Sequence, residues 1–211
     1  MRVLWRAFIC LFLMKRLLPL FFFLYIVLVR SCTEAKKDDS FIVQGTTSQN
    51  RLNGKKIFLV PWGSKEIEDS IGVDSVWIKD NKFEFQGHGE YIARVSVERR
   101  ERYSTQDLLI VTEHGSVINV VIDSVSYGGG TPQNEVLQQW KELKEAHDLV
   151  AGPHVVRLHY LRKNPADSLQ ANVLADSLRE FNEHFRQQVL DITKLIKEGP
   201  AYDLLMSRYG N

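Results

Sequence analysis

His88, His114, His147, His154, His159 and His184 are the residues of this 211-residue chain best suited to move a proton or bind a metal near neutral pH. Their spacing does not support either role. His154 and His159 stand five apart, which a helix of 3.6 residues per turn does not bring to one face, and no His-Glu-x-x-His run occurs. These histidines are expected as surface or capping residues. No serine sits in a Gly-x-Ser-x-Gly elbow, so nothing frames a hydrolase nucleophile. Carboxylates are plentiful at 26, but an acid–base pair needs a separation in space that no linear spacing here defines. Gly128-Gly129-Gly130 lacks a following Gly-Lys-Ser/Thr and the Gly-x-Gly-x-x-Gly spacing, so it reads as a flexible corner rather than a phosphate loop. No cofactor, metal or catalytic residue is expected, and no enzyme.

Sulfur chemistry is concentrated at one place. Cys10 and Cys32 are the two cysteines, and residues 33–211 have none, which excludes an internal disulfide, a Cys-x-x-Cys pair and a thiolate nucleophile there. Cys32 follows an apolar run, Leu17 to Val29, thirteen residues without a charge, preceded by Lys15-Arg16. That run is shorter than the ~20 residues of a spanning helix and suits the apolar region of a secretory signal. Met14 stands just before it as an alternative start. A second reading joins the run with the apolar stretch Met1–Leu13 into one interrupted membrane anchor. Leu28-Val29-Arg30-Ser31-Cys32 resembles a bacterial lipobox, whose cysteine is acylated and becomes the mature N-terminus; Arg30 departs from the small residue usual there. Acyl chains contribute ~0.8 kcal/mol per buried methylene, so a lipidated Cys32 would hold the body at a membrane. Residues 1–31 are therefore expected as a signal peptide and 32–40 as a tether. Lys37-Asp38-Asp39 in the tether resembles a surface-export signal of some Gram-negative lipoproteins and also reads as a plain solvated linker.

Composition bounds the rest. Lys and Arg total 27 against 26 acidic residues, with 44% hydrophobic and 25% charged residues, values of an ordinary folded chain. Arg2, Arg6, Lys15, Arg16 and Arg30 fall in the leader, so beyond it 22 basic residues face 26 acidic ones, a net −4. A mildly acidic body does not neutralise many phosphates, and nucleic acid is not an expected partner.

The elements follow from periodicity. Period-2 alternation predicts strands over 41–45, 55–62, 73–79, 82–86, 90–98, 108–112 and 116–123, with a short last one over 125–127. Asn53-Gly54, Asp80-Asn81 and Glu113-His114-Gly115 read as turns between them. The expected architecture is mainly β then α: an antiparallel β-sandwich of seven to eight strands over 41–130, then a helical hairpin within 131–211. Thr131 and Pro132 suit a helix start, with Val136, Leu137, Trp140 and Leu143 on one face. Gly152-Pro153 is expected to interrupt or kink it. A second helix is expected from Asp167 or Ser168 to about Lys197. Its stripe of Ala171, Leu174, Leu178, Phe181, Phe185, Val189, Ile192 and Ile196 packs either on the first helix or in a coiled-coil dimer seam.

Several of these segments, in order, resemble a known family. Phe41-Ile42-Val43-Gln44-Gly45, Gly54 to Val60, Asp74-Ser75-Val76, Asn81 to Gly87 and Gly130 to Leu137 are similar to the domain of unknown function 4369 of bacterial lipoproteins, over roughly 41–140. The resemblance implies a β-sandwich on a lipid-anchored envelope protein, with no established activity for the domain. Family members with redox chemistry carry a downstream thioredoxin-like domain with Cys-x-x-Cys, and this chain ends at Asn211 without one.

The expected role is a non-catalytic accessory or protein-interaction module, anchored at the outer membrane through lipid and facing an envelope protein partner; its oligomeric state is not set by sequence. The alternatives are a surface glycan- or peptide-binding lipoprotein and an enzyme of unrecognised type. For ligand contact the candidates are Trp62, between Pro61 and Gly63, and Tyr103, in the charged loop Glu98 to Tyr103. Trp77 and Tyr91 are expected in the core.

Overall fold

A computed structural model describes residues 39–98, 101 and 103–210. The leader, Cys32 and the tether up to Asp38 lie outside the described residues, as do Arg99, Arg100 and Arg102 of the charged loop. Eight strands come first: β1 (Ser40–Thr46), β2 (Lys56–Pro61), β3 (Asp74–Trp77), β4 (Lys82–His88), β5 (Tyr91–Val97), β6 (Leu108–Thr112), β7 (Val117–Val121) and β8 (Tyr127–Gly129). They form two four-stranded sheets, ordered β4-β1-β7-β8 and β3-β2-β5-β6. Alternation sets their faces. Phe41 and Val43 of β1, Phe83 and Phe85 of β4, and Ile118 and Val120 of β7 are buried with Ile57, Leu59, Ala93, Val95, Leu108 and Ile110 of the other sheet in one apolar cluster. Each large side chain buried there contributes about 1.5–3 kcal/mol. Asp80 and Asn81 make the β3–β4 turn with positive φ of 51° and 60°. The Asn53 side chain holds that turn, accepting from the Asn81 backbone N–H at 2.8 Å and donating to Asn81 Oδ1 at 2.8 Å.

The expectation of purely antiparallel pairing is corrected at one place. β1 and β7 run parallel, Ile42 opposite Val117 through Thr46 opposite Val121. The segment Glu113-His114-Gly115 is not a hairpin tip; it carries the chain from the end of β6 in one sheet to β7 in the other. Gly115 N–H donates to Ser40 C=O at 2.7 Å and Ile42 N–H to Ser116 C=O at 3.0 Å, so β7 starts at the same end as β1. A short helix, α1 (Lys65–Ile71), also appears between β2 and β3, with no buried residue and hence no periodic apolar signal.

Three further helices follow: α2 (Pro132–Leu161), α3 (Ser168–Thr193) and α4 (Pro200–Tyr209). Gly128 and Gly129 belong to β8, and Gly130 alone turns, at φ +95°. Thr131 Oγ1 then accepts from Asn134 N–H at 3.4 Å, and Glu135 Oε1 accepts from Gly130 N–H at 3.0 Å, which together satisfy the start of α2. α2 runs through Pro153 rather than breaking there. α3 ends at Thr193 rather than near Lys197, and its stripe packs on α2: the His147 ring stacks on Phe181 and Phe185 at 5.0 and 4.4 Å. The helices share a second core with the sheet. Val136, Leu137 and Trp140 of α2, Val189 of α3, and Ala201 and Leu205 of α4 are buried with Val111 of β6, and Ile92 and Leu109 pack against them. Among the described residues, no helix is long and apolar enough to cross a membrane.

Candidate functional site

The outer face of the β4-β1-β7-β8 sheet is where side chains turned away from the core gather. With Val43, Phe83 and Ile118 directed inward, Gln44 and Thr46 of β1, Lys82 and Glu84 of β4, and Asn119 of β7 project outward. Trp77, at the end of β3, and Tyr127, at the start of β8, add an aromatic ring each. These residues line one open cleft of about 700 Å³. Trp77 is 52% exposed and Tyr127 43%, against the expectation that Trp77 is core. The correction has a simple cause: Val76, Trp77 and Ile78 are three apolar residues in a row, and Ile78 takes the buried position.

The cleft offers two ring faces, side-chain amides, an exposed glutamate and lysine ammonium groups. Lys56 Nζ already lies 5.2 Å over the Trp77 ring. Glu84 accepts from Gln86 Nε2 at 2.8 Å and from Gln44 Nε2 at 3.4 Å, which sets the orientation of both amides. Tyr127 Oη donates to Glu135 Oε2 at 3.5 Å, and the charge of Glu135 pushes the phenol above its ordinary pKa. Among the described residues, the lining contains no histidine, serine or cysteine. It is an arrangement for stacking and hydrogen bonding.

The two contact residues expected from sequence stand elsewhere and are not brought together. Trp62 is half-buried in the second core, with the Arg208 guanidinium 5.1 Å over its ring. Tyr103 is fully exposed, at 100%, in the charged loop. Cys32 lies outside the described residues. His154 and His159 are exposed on α2. Among the described residues, no group of three or more His, Cys, Asp or Glu is placed to hold a metal ion.

A second polar cluster sits where α2 meets the end of β6. Glu113 accepts from Thr131 Oγ1 and from Asn134 Nδ2, the latter at 3.4 Å; Glu90 accepts from Gln133 Nε2 at 2.7 Å. Gln133 Oε1 in turn accepts from Ala201 N–H at 3.0 Å, so these groups tie helix starts to the sheet. Burial pushes the Glu113 carboxyl above its usual range, with the Glu90 charge adding to the shift against the hydrogen bonds from Thr131, Gln133 and Asn134. The folded protein thus holds this proton more tightly than the unfolded chain does. Stability is lost as pH rises from the ordinary glutamate pKa of about 4.3 through the raised value. Glu113→Gln is expected to remove that loss: its melting temperature should gain on the parent as pH is raised from acidic to neutral. A difference that stays flat with pH would contradict the assignment.

Comparison with protein-family models, with curated proteins and with solved structures finds no match to this chain.

Proposed function

We propose that the chain is a non-catalytic, lipid-anchored protein of the cell envelope, and that the outer face of the β4-β1-β7-β8 sheet is its binding surface, with a short oligosaccharide as ligand class. The observation that carries the binding role is the cleft itself: two half-exposed aromatic rings beside oriented amides and a carboxylate, a combination that stacks on sugar rings and hydrogen-bonds their hydroxyls. The two sheets sharing one core are read as a β-sandwich. The ordered motifs similar to the lipoprotein domain of unknown function 4369, and the lipobox-like run ending at Cys32, support the envelope location.

The test uses residues 33–211 on a glycan panel. Trp77→Ala and Tyr127→Ala are each expected to weaken the bound glycan about tenfold, the worth of one aromatic contact, with an unchanged melting temperature. In cells, Cys32→Ala should move the protein from the membrane to the soluble fraction. No binding across the panel would overturn the oligosaccharide reading. A stoichiometric protein crosslinked to the parent in native membranes and lost from Cys32→Ala would favour an anchored accessory subunit instead. That second reading draws on the exposed far half of α2.

A further inference from the structure

The hairpin that joins the two sheets holds like charges against each other. Lys79 and Lys82 flank the Asp80-Asn81 turn and exchange both backbone hydrogen bonds, each N–H donating to the other's C=O at 2.9 Å. Residues paired in this way carry their side chains on one face, about 5 Å apart at Cβ. Like charges set directly opposite destabilise a strand pair, and the positive φ of Asp80 and Asn81 fixes the register that opposes them. Trp77 stands two residues before Lys79 and opposite Lys56 in the β2–β3 ladder, so a third ammonium meets the same ring. Among the described residues, none of the three lysines has a carboxylate within ion-pair distance. Two nearby acids are turned to other donors. Glu98 accepts from the Lys56 backbone N–H at 3.0 Å, and Glu84 holds the amides of Gln44 and Gln86. Beyond the leader 26 acidic residues face 22 basic ones, so this group of free ammoniums runs against the charge of the body.

Trp77 and Lys79 also border two clefts. One is the cleft of about 700 Å³ on the outer sheet face; the second, of about 530 Å³, adds Asn53, Gly54, Ile78 and Asp80. A local conflict that a fold keeps at the wall of a cleft marks a functional position, and opposed ammoniums are relieved by an anion. We infer that the ligand of this surface is an acidic oligosaccharide, whose carboxylate or sulfate is gripped by Lys79 and Lys82 while its sugar ring stacks on Trp77. The inference rests on the oligosaccharide reading and narrows it. It also gives the ligand a direction. The acidic group belongs at the Trp77 end, because the Tyr127 phenol at the other end faces the Glu135 carboxylate.

The test compares acidic glycans with their neutral counterparts on residues 33–211, each uronate against its methyl ester and each sulfated glycan against its desulfated form. An acidic member is expected to bind about tenfold more tightly than its neutral form, with Lys79→Gln and Lys82→Gln each weakening it about threefold. Neither substitution should lower the melting temperature, since each relieves the opposed charges; a merely structural lysine would do the reverse. Raising NaCl from about 50 to about 500 mM should weaken the parent more than the double variant. Equal binding of acidic and neutral forms, or binding of neutral glycans alone, would overturn the inference and leave the oligosaccharide reading standing. An acidic glycan indifferent to both lysine substitutions would overturn it as well. No binding to any glycan, acidic or neutral, would overturn both.

Discussion

Asn134→Leu is expected to destabilise the protein by about 2–6 kcal/mol, since two backbone groups would each lose their partner at about 1–3 kcal/mol. Among the described residues, β6 is the last strand of its sheet, with β5 on one side and no strand on the other. The Asn134 side chain takes the place of the missing strand. Its Oδ1 accepts from Val111 N–H at 2.9 Å, and its Nδ2 donates to Val111 C=O at 2.8 Å. Asn134 is 1% exposed and Val111 0%, so no water replaces it. Leucine fills the volume and leaves both groups unpaired. Asn134→Asp separates the two bonds: the ionised carboxylate still accepts from Val111 N–H but faces Val111 C=O without a proton to donate. Its stability should therefore recover as acid protonates it. Urea unfolding at neutral and acidic pH measures both, and a loss below about 1 kcal/mol for leucine would show that the edge does not depend on this amide.

Gly45→Val is expected to cost about 3 kcal/mol, the upper part of the usual range for overpacking. Gly45 lies in β1 directly opposite Phe83 of β4, and the Phe83 ring lies flat over it. A Cβ at Gly45 would stand 1.8 Å from Phe83 Cζ and 2.0 Å from Cε2. The ring is 6% exposed and packed edge-on against Phe85 at 6.0 Å, a contact that it loses if it is displaced. β1 lies between β4 and β7, so moving its backbone would disturb both ladders. Phe83→Leu in the Gly45→Val background should restore part of the loss, although Phe83→Leu alone is destabilising. Additive effects of the two substitutions, measured as a double-mutant cycle, would contradict the packing argument.

The parts of this fold that the sequence makes legible are those written as periodicity. β6 falls on its expected residues, and β4 begins where Lys82-Phe83-Glu84-Phe85 starts to alternate. Thr131 and Pro132 mark the start of α2 through capping chemistry that is local to a few residues. What is hidden is set by contacts far away in the chain. The parallel β1–β7 pair arises because the chain changes sheets at Glu113–Ser116, and a Gly-containing turn looks the same whether it returns to its own sheet or crosses to another. α1 buries nothing and so leaves no pattern. The aromatic residues of the site show the same limit. Trp62 follows a proline and precedes a glycine, a context of exposed turns, yet Arg208 from the far end of the chain covers its ring. Trp77 lies in an unbroken apolar triplet that leaves its face undefined until Ile78 claims the core.

The position of β1 also governs the order in which the molecule can be assembled. Among the described strands it is the first to be synthesised, yet Ile42 waits for Gln86 on one side and for Val117 on the other. Until β7 exists, one edge of a strand carrying Phe41, Ile42 and Val43 stays open, and the most central ladder of that sheet is among the last to close. Pairings this distant along the chain slow folding and prolong exposure to wrong partners. The nascent chain therefore passes through a long interval in which its apolar first strand must be kept from other chains.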